Sequence, residues 1–336
     1  MLTLPKRATV VEVGPRDGLQ SLDQAIPTDR KVAMIDRLSE AGFPVIEATG
    51  FAHPRVIPNL ADAEQVMARI TRRPGTVYRA LVPNAKGAAR AADAGVDEML
   101  GLLTVSETYC RKNQNMSVDQ AVEQARMAFE IAERAGVRFV MAMGVSFFCP
   151  YEGRIPEART LEVFGTLYER GIRRFYLAGS VGMEDPRHVN TVFHGIHDRW
   201  ADVEVGFHVH NVAGFGTANI VAALDGGASS IEGSICGIGG GIAMPTSMGS
   251  VGNLATEDIV HLLNEMGVET GIDTAEAARA AWDVSRLLGI EPASHVTRSG
   301  TREAVLERGR TNPRQHPHAE TGRDAGNRPH WPTGGH

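Results

Sequence analysis

Thr9-Val-Val-Glu-Val-Gly-Pro-Arg-Asp-Gly-Leu-Gln20 is followed, after a short gap, by Thr28-Asp-Arg-Lys-Val-Ala-Met-Ile-Asp-Arg-Leu-Ser-Glu40. The β-branched run Thr9–Val13 reads as a strand, and Gly14-Pro15 and Asp17-Gly18 break it. Val32, Ile35 and Leu38 then fall on one helical face. The same alternation recurs along the chain. Further strands are predicted at Val45–Thr49, Val77–Val82, Glu98–Thr104, Val137–Val145, Arg173–Leu177, Glu204–His210 and Ser229–Ile235, each followed by a helix-periodic run. Strands separated by helices, without hairpin turns, pair in parallel. Eight such units closing on themselves make an α/β fold, the (β/α)8 TIM barrel. An open doubly wound sheet is the rival, but it does not call for eight units.

Helix starts are marked locally. Thr28 stands before Asp29, Ser117-Val-Asp-Gln120 is a capping box, and Asp185-Pro186 pairs an N-cap with a proline at the first helical position. Extra C-terminal helices are predicted near Thr256–Met266 and Thr274–Leu288, closing the barrel. The expected organisation is a barrel over residues 1–300 and a low-complexity, disordered tail over 301–336. The tail's last part is rich in His, Pro, Gly, Arg and Asn.

Composition narrows the function. The chain has 336 residues, 43% of them hydrophobic, which suits a globular core and not a disordered chain. Lys and Arg number 34 against 40 Asp and Glu, so there is no basic field for nucleic acid. No run of ~18 apolar residues offers a membrane span. Three cysteines are too few for a disulfide framework, and the N-terminus lacks a signal-peptide pattern. A cytoplasmic protein is expected.

In such barrels chemistry sits past the C-terminal ends of strands. Strand 1 delivers Arg16, Asp17 and Gln20 there, unless this is a plain strand-to-helix turn. Phe207-His208-Val209-His210-Asn211 puts two histidines on one face of an apolar strand, because side chains alternate with period two. Two imidazoles on one face suit a metal, and with added oxygen ligands they suit a divalent cation, Mg or Mn and possibly Co. Glu47 is a carboxylate in an apolar run, with Arg16 as its natural partner. That pair is either part of the site or a structural ion pair. Gly237-Ile-Gly-Gly-Gly241 is a glycine-rich loop suited to close backbone approach to a ligand or to a lid.

Together these stretches resemble the 3-hydroxy-3-methylglutaryl-CoA lyase family, within the wider group of metal-dependent lyases and Claisen-condensing barrels. The matching segments are EVGPRDGLQ, SEAGFPVIEATGF, IPNLAD, LVPNAKG, RKNQN, CPYEG, FHVHN and GNLATED, spread over roughly residues 10–290. The resemblance implies that Asp17, His208, His210 and Asn253 hold the divalent cation, that Arg16 stabilises a developing enolate oxygen and that Glu47 supports it. It implies a substrate whose 3-hydroxyl and a carbonyl chelate the metal. Loss of the hydroxyl proton then breaks a C–C bond to give a ketone and a thioester enolate. Gln20, Lys112, Asn113, Ser180 and Gly241 are the expected substrate contacts, and an acyl-CoA the expected partner of a homodimer.

The sequence departs from that pattern. Gly241 stands where the family has a catalytic cysteine, Gly179 where it has an acidic residue, and Asn211 where it has an aspartate. Two such glycines suggest an emptied pocket and a substrate bulkier than the parent thioester. His53 or Cys236 is expected to replace the missing acid, unless His53 is a surface residue and Cys236 a core one. The competing functions are a Claisen-condensing synthase using an acyl-CoA and a 2-oxo acid, and a catalytically silent metal-binding barrel.

Overall fold

The computed structural model describes residues 2–239 and 252–311. The strands are β1 (Thr9–Glu12), β2 (Val45–Gly50), β3 (Val77–Val82), β4 (Glu98–Thr104), β5 (Arg138–Gly144), β6 (Phe148–Cys149), β7 (Gly153–Arg154), β8 (Arg174–Gly179), β9 (Glu204–Val209) and β10 (Ser230–Gly233). Eight of them close into a barrel in the order β1-β10-β9-β8-β5-β4-β3-β2, with every pair parallel. All eight predicted strands are present, and a helix or pair of helices links each to the next.

Two local features depart from the sequence reading. β6 and β7 form a small antiparallel hairpin after β5. Runs of two residues are too short to show a period. The helix Thr28–Glu40 places Pro27, not Thr28, at its N-cap, and Thr28 Oγ1 instead donates to Asp62 Oδ2 at 2.5 Å. The other start signals are built as read. Ser117 and Gln120 make both capping-box bonds, and Asp185 caps its helix by accepting from the His188 amide at 3.0 Å.

Alternation sorts the strand residues into two layers. Val205, Phe207 and Val209 of β9 face outward into the main apolar core beneath the helices. Gly206, His208 and His210 face the bore. The bore is itself two-sided. Leu81, Leu100, Val140, Ala142, Tyr176 and Ala178 form one apolar cluster, while buried Asp17, Glu47, Glu232 and His208 arise from the other strands.

The described residues fall into two compact units, one ending at Ser299 and one beginning at Gly300. The second unit begins with a helix, Arg302–Thr311, that has no buried residue. Residues 302–311 are therefore helical, where disorder was expected from 301 onward. Residues 312–336 lie outside the described residues. Among the described residues, no helix is long and apolar enough to cross a membrane.

Candidate metal centre and active site

After β1 the chain makes a single π-helical turn, Gly14–Gly18, in which the amides of Arg16, Asp17 and Gly18 all donate to Val13 O at 2.7–3.3 Å. Such turns are rare and cluster at functional sites, because the extra residue re-aims side chains. Here it swings Arg16 and Asp17 into the bore, where both are buried. Glu12 secures the turn, accepting from the amides of Gly14 at 2.7 Å and Ile235 at 2.9 Å. Burial pushes its carboxyl up to about 7.

Asp17 joins the two histidines. One ligand atom each from Asp17, His208 and His210 lies within 4.8 Å of the others. His208 Nε2 and His210 Nε2 are 3.0 Å apart, and His210 Nε2 is 4.0 Å from Asp17 Oδ2. Asn253 Nδ2 donates to Asp17 Oδ2 at 2.6 Å, leaving Asn253 Oδ1 without a partner among the described residues. Burial, and then His208 beside it, push His210 down to about 3, so that ring is neutral across the physiological range. Burial pushes Asp17 up, but Arg16, His208 and His210 outweigh it and hold the carboxylate below its usual range. Ionised Asp17 and neutral His210 are in the protonation states that metal ligands need, whereas burial of His208 is outweighed by Glu232 and Asp17, which hold it above its usual range.

Arg16 is fixed on both sides. Its Nε donates to Glu47 Oε1, and its Nη1 donates to Asp17 Oδ1 at 2.9 Å. Glu47 lies beside a β-bulge in β2, where the register against β3 shifts between Glu47 and Thr49. Burial pushes the Glu47 carboxyl up despite Arg16. Gln20 Nε2 donates to Asp17 Oδ1 at 3.0 Å.

These groups open into a cavity of about 310 Å³ at the C-terminal mouth, walled by Arg16, Asp17, Gln20, His53, Asn113, Ser180, His208 and His210. Ala52, Val56, Ile57, Leu81 and Met116 add an apolar wall. His53 is thus exposed at the rim, accepting from the Arg55 amide. Ser180 Oγ accepts from the Val145 amide at 2.9 Å.

Other expected residues are placed elsewhere. Cys236 does not line the cavity. It sits at φ +60 in a left-handed turn that breaks the strand alternation, and its Sγ donates to Ala281 O at 3.2 Å. Burial, then Glu257, push the thiol up, so it is a buried core residue and not an acid at the mouth. Lys112 also does not line the cavity; its ammonium stands 4.9 Å from the Tyr151 ring centroid. Gly241 lies outside the described residues. Gly239, earlier in the same loop, passes so close that a Cβ there would lie 2.1 Å from Asn253 Nδ2 and 3.2 Å from Asp17 Oδ2.

Gly179 does not open space. A Cβ there would lie 2.1 Å from Glu184 Oε1. Glu184 is 2% exposed, and burial pushes its carboxyl up to about 7. Its backbone oxygen accepts from Asn219 Nδ2 at 2.9 Å. Sequence reading missed Glu184, although an acid five residues after a glycine at a strand end was visible. Gly179→Ala is expected to cost about 1–3 kcal/mol by overpacking. Adding Glu184→Ala should return most of that loss, read as a double-mutant cycle on chemical denaturation. Additive effects would show that Glu184 yields freely.

The HMGL-like family model matches residues 7–284. The chain belongs to the HMGL-like family. Mouse mitochondrial hydroxymethylglutaryl-CoA lyase is 36% identical over 299 residues, 89% of this chain and 91% of that protein. The Bacillus subtilis HMG-CoA lyase structure superposes with a TM-score of 0.84 at 35% identity, covering 88% of this chain and 99% of that one. An HMG-CoA lyase from Acinetobacter baumannii, solved with coenzyme A and 3-methylmalate, gives 0.83 at 32% identity, covering 90% and 98%. This HMGL-like chain is a lyase.

Proposed function

We propose that this lyase is divalent-metal-dependent and cleaves a 3-hydroxyacyl-CoA of the HMG-CoA type into an acetyl-CoA-type thioester and a keto product. The observation that carries the reading is the convergence of Asp17, His208 and His210 beside Arg16 in one cavity. The residues fit a cation. One ligand atom each from Asp17, His208 and His210 lies within 4.8 Å of the others, an imidazole and carboxylate donor set of the kind divalent cations take. Asp17, His208, His210 and Asn253 would hold it, and when bound it supplies Lewis acidity and orients oxygen ligands.

The chain's own residues do the rest. Arg16, pinned by Glu47 and Asp17, aims a fixed guanidinium at the mouth, where negative charge develops on the thioester oxygen. As the 3-hydroxyl loses its proton, C3 becomes a carbonyl, the C2–C3 bond breaks and its electron pair moves into the thioester enolate. Protonation at C2 completes the thioester. His53, which lines the cavity rim, would stand in for the missing acid, taking up the hydroxyl proton and returning a proton to C2. The relative bound to coenzyme A and 3-methylmalate supports a CoA ester and a hydroxy acid as the reacting class.

The apolar wall of Ala52, Val56, Ile57 and Met116 supports a group at C3 larger than methyl, seated away from Gly179, whose space Glu184 fills. The test is turnover of HMG-CoA and of analogues with longer C3 groups, with Mn²⁺ or Mg²⁺ and products read by mass spectrometry. Higher kcat/KM on the longer analogues is expected. Preference for the methyl compound would overturn the larger group, and no cleavage of any thioester would overturn the reaction.

A further inference from the structure

Below the cation cluster runs a line of buried charge that the proposed chemistry does not use. Arg79 on β3 donates through Nε to Glu98 Oε1 at 2.7 Å and through Nη1 to Glu232 Oε1. β3 and β10 are not neighbours; β1 and β2 stand between them, so this guanidinium spans the bore. The second oxygen of Glu232, Oε2, lies 3.4 Å from His208 Nδ1 and has no hydrogen-bond partner among the described residues. The opposite nitrogen of that ring, Nε2, faces His210 Nε2. A neutral imidazole carries one ring proton, so a proton held on Nδ1 leaves the Nε2 lone pair free.

We propose that Arg79 and Glu232 are positioning residues for His208: Arg79 clamps one oxygen of Glu232, and the other, aimed by that clamp, accepts a hydrogen bond from His208 Nδ1–H and so leaves a bare Nε2 facing Asp17 and His210. Glu98 holds Arg79 in turn. The inference rests on reading the cluster as a divalent cation site. Carboxylates that orient a ligating histidine are typically worth roughly 10–100-fold in metal affinity.

The test is Mn²⁺ titration of the metal-free full-length chain by calorimetry or electron paramagnetic resonance, with imidazole ¹⁵N shifts of the metal-free protein reporting the tautomer. Glu232→Gln is expected to weaken Mn²⁺ binding by roughly 10–100-fold and to move the His208 proton from Nδ1 toward Nε2. Removing one member of a buried ion pair can unfold a protein. Glu232→Asp therefore serves as the second variant, keeping the charge while withdrawing the oxygens by one methylene. It should shift affinity in the same direction by less. Wild-type affinity and tautomer in both variants would overturn this inference while leaving the cation site intact. A wild-type chain that binds no Mn²⁺ would overturn the cation reading and this inference with it.

Discussion

His210→Ala is expected to abolish metal-dependent cleavage and Mn²⁺ binding together. His210 supplies one of three ligand atoms gathered within 4.8 Å, and its ring is buried and kept neutral. Losing a direct ligand should cost more than the roughly 10–100-fold typical of losing a partner that only orients one. Turnover should then stay near background across the accessible Mn²⁺ range. Circular dichroism and thermal melting would establish that the variant is folded. A folded variant with wild-type kcat at moderate Mn²⁺ would remove His210 from the site.

Arg16→Lys is expected to lower kcat by about 10²–10³, equivalent to ~2.7–4 kcal/mol, with KM little changed. A cation aimed at an oxygen that becomes negative only during reaction stabilises the transition state more than the bound substrate. Lysine keeps the charge but not the planar fork that meets Glu47 through Nε and Asp17 through Nη1. An ammonium at this position cannot satisfy both carboxylates while pointing into the cavity. Steady-state kinetics on the best thioester of the substrate panel decide it. A variant that mainly raises KM would make Arg16 a substrate-binding residue.

Much of this arrangement was legible because it lies in periodicity. Alternation along Phe207–His210 placed both histidines on one face, and the strand runs gave the barrel its eight staves. What was not legible depends on contacts between distant segments. Arg79 and Glu232 each look like a lone charge in a short strand, and only closure of the barrel brings them together across two intervening strands. Cys236 is the core residue that the sequence left as an alternative, and a positive φ, which spacing does not show, sets it there. Glu184 was missed because its chain folds back over the glycine it fills, something spacing alone does not record.

That last contact also constrains how such a chain can change. A side chain at 179 and the Glu184 carboxyl compete for the same few cubic ångströms. A lineage carrying a larger residue at 179 would reach the present pair most cheaply by shrinking 179 first and acquiring Glu184 second. The reverse order passes through a crowded intermediate. Once both changes are in place, reverting position 179 alone is penalised, so the second substitution acts as a ratchet on the first.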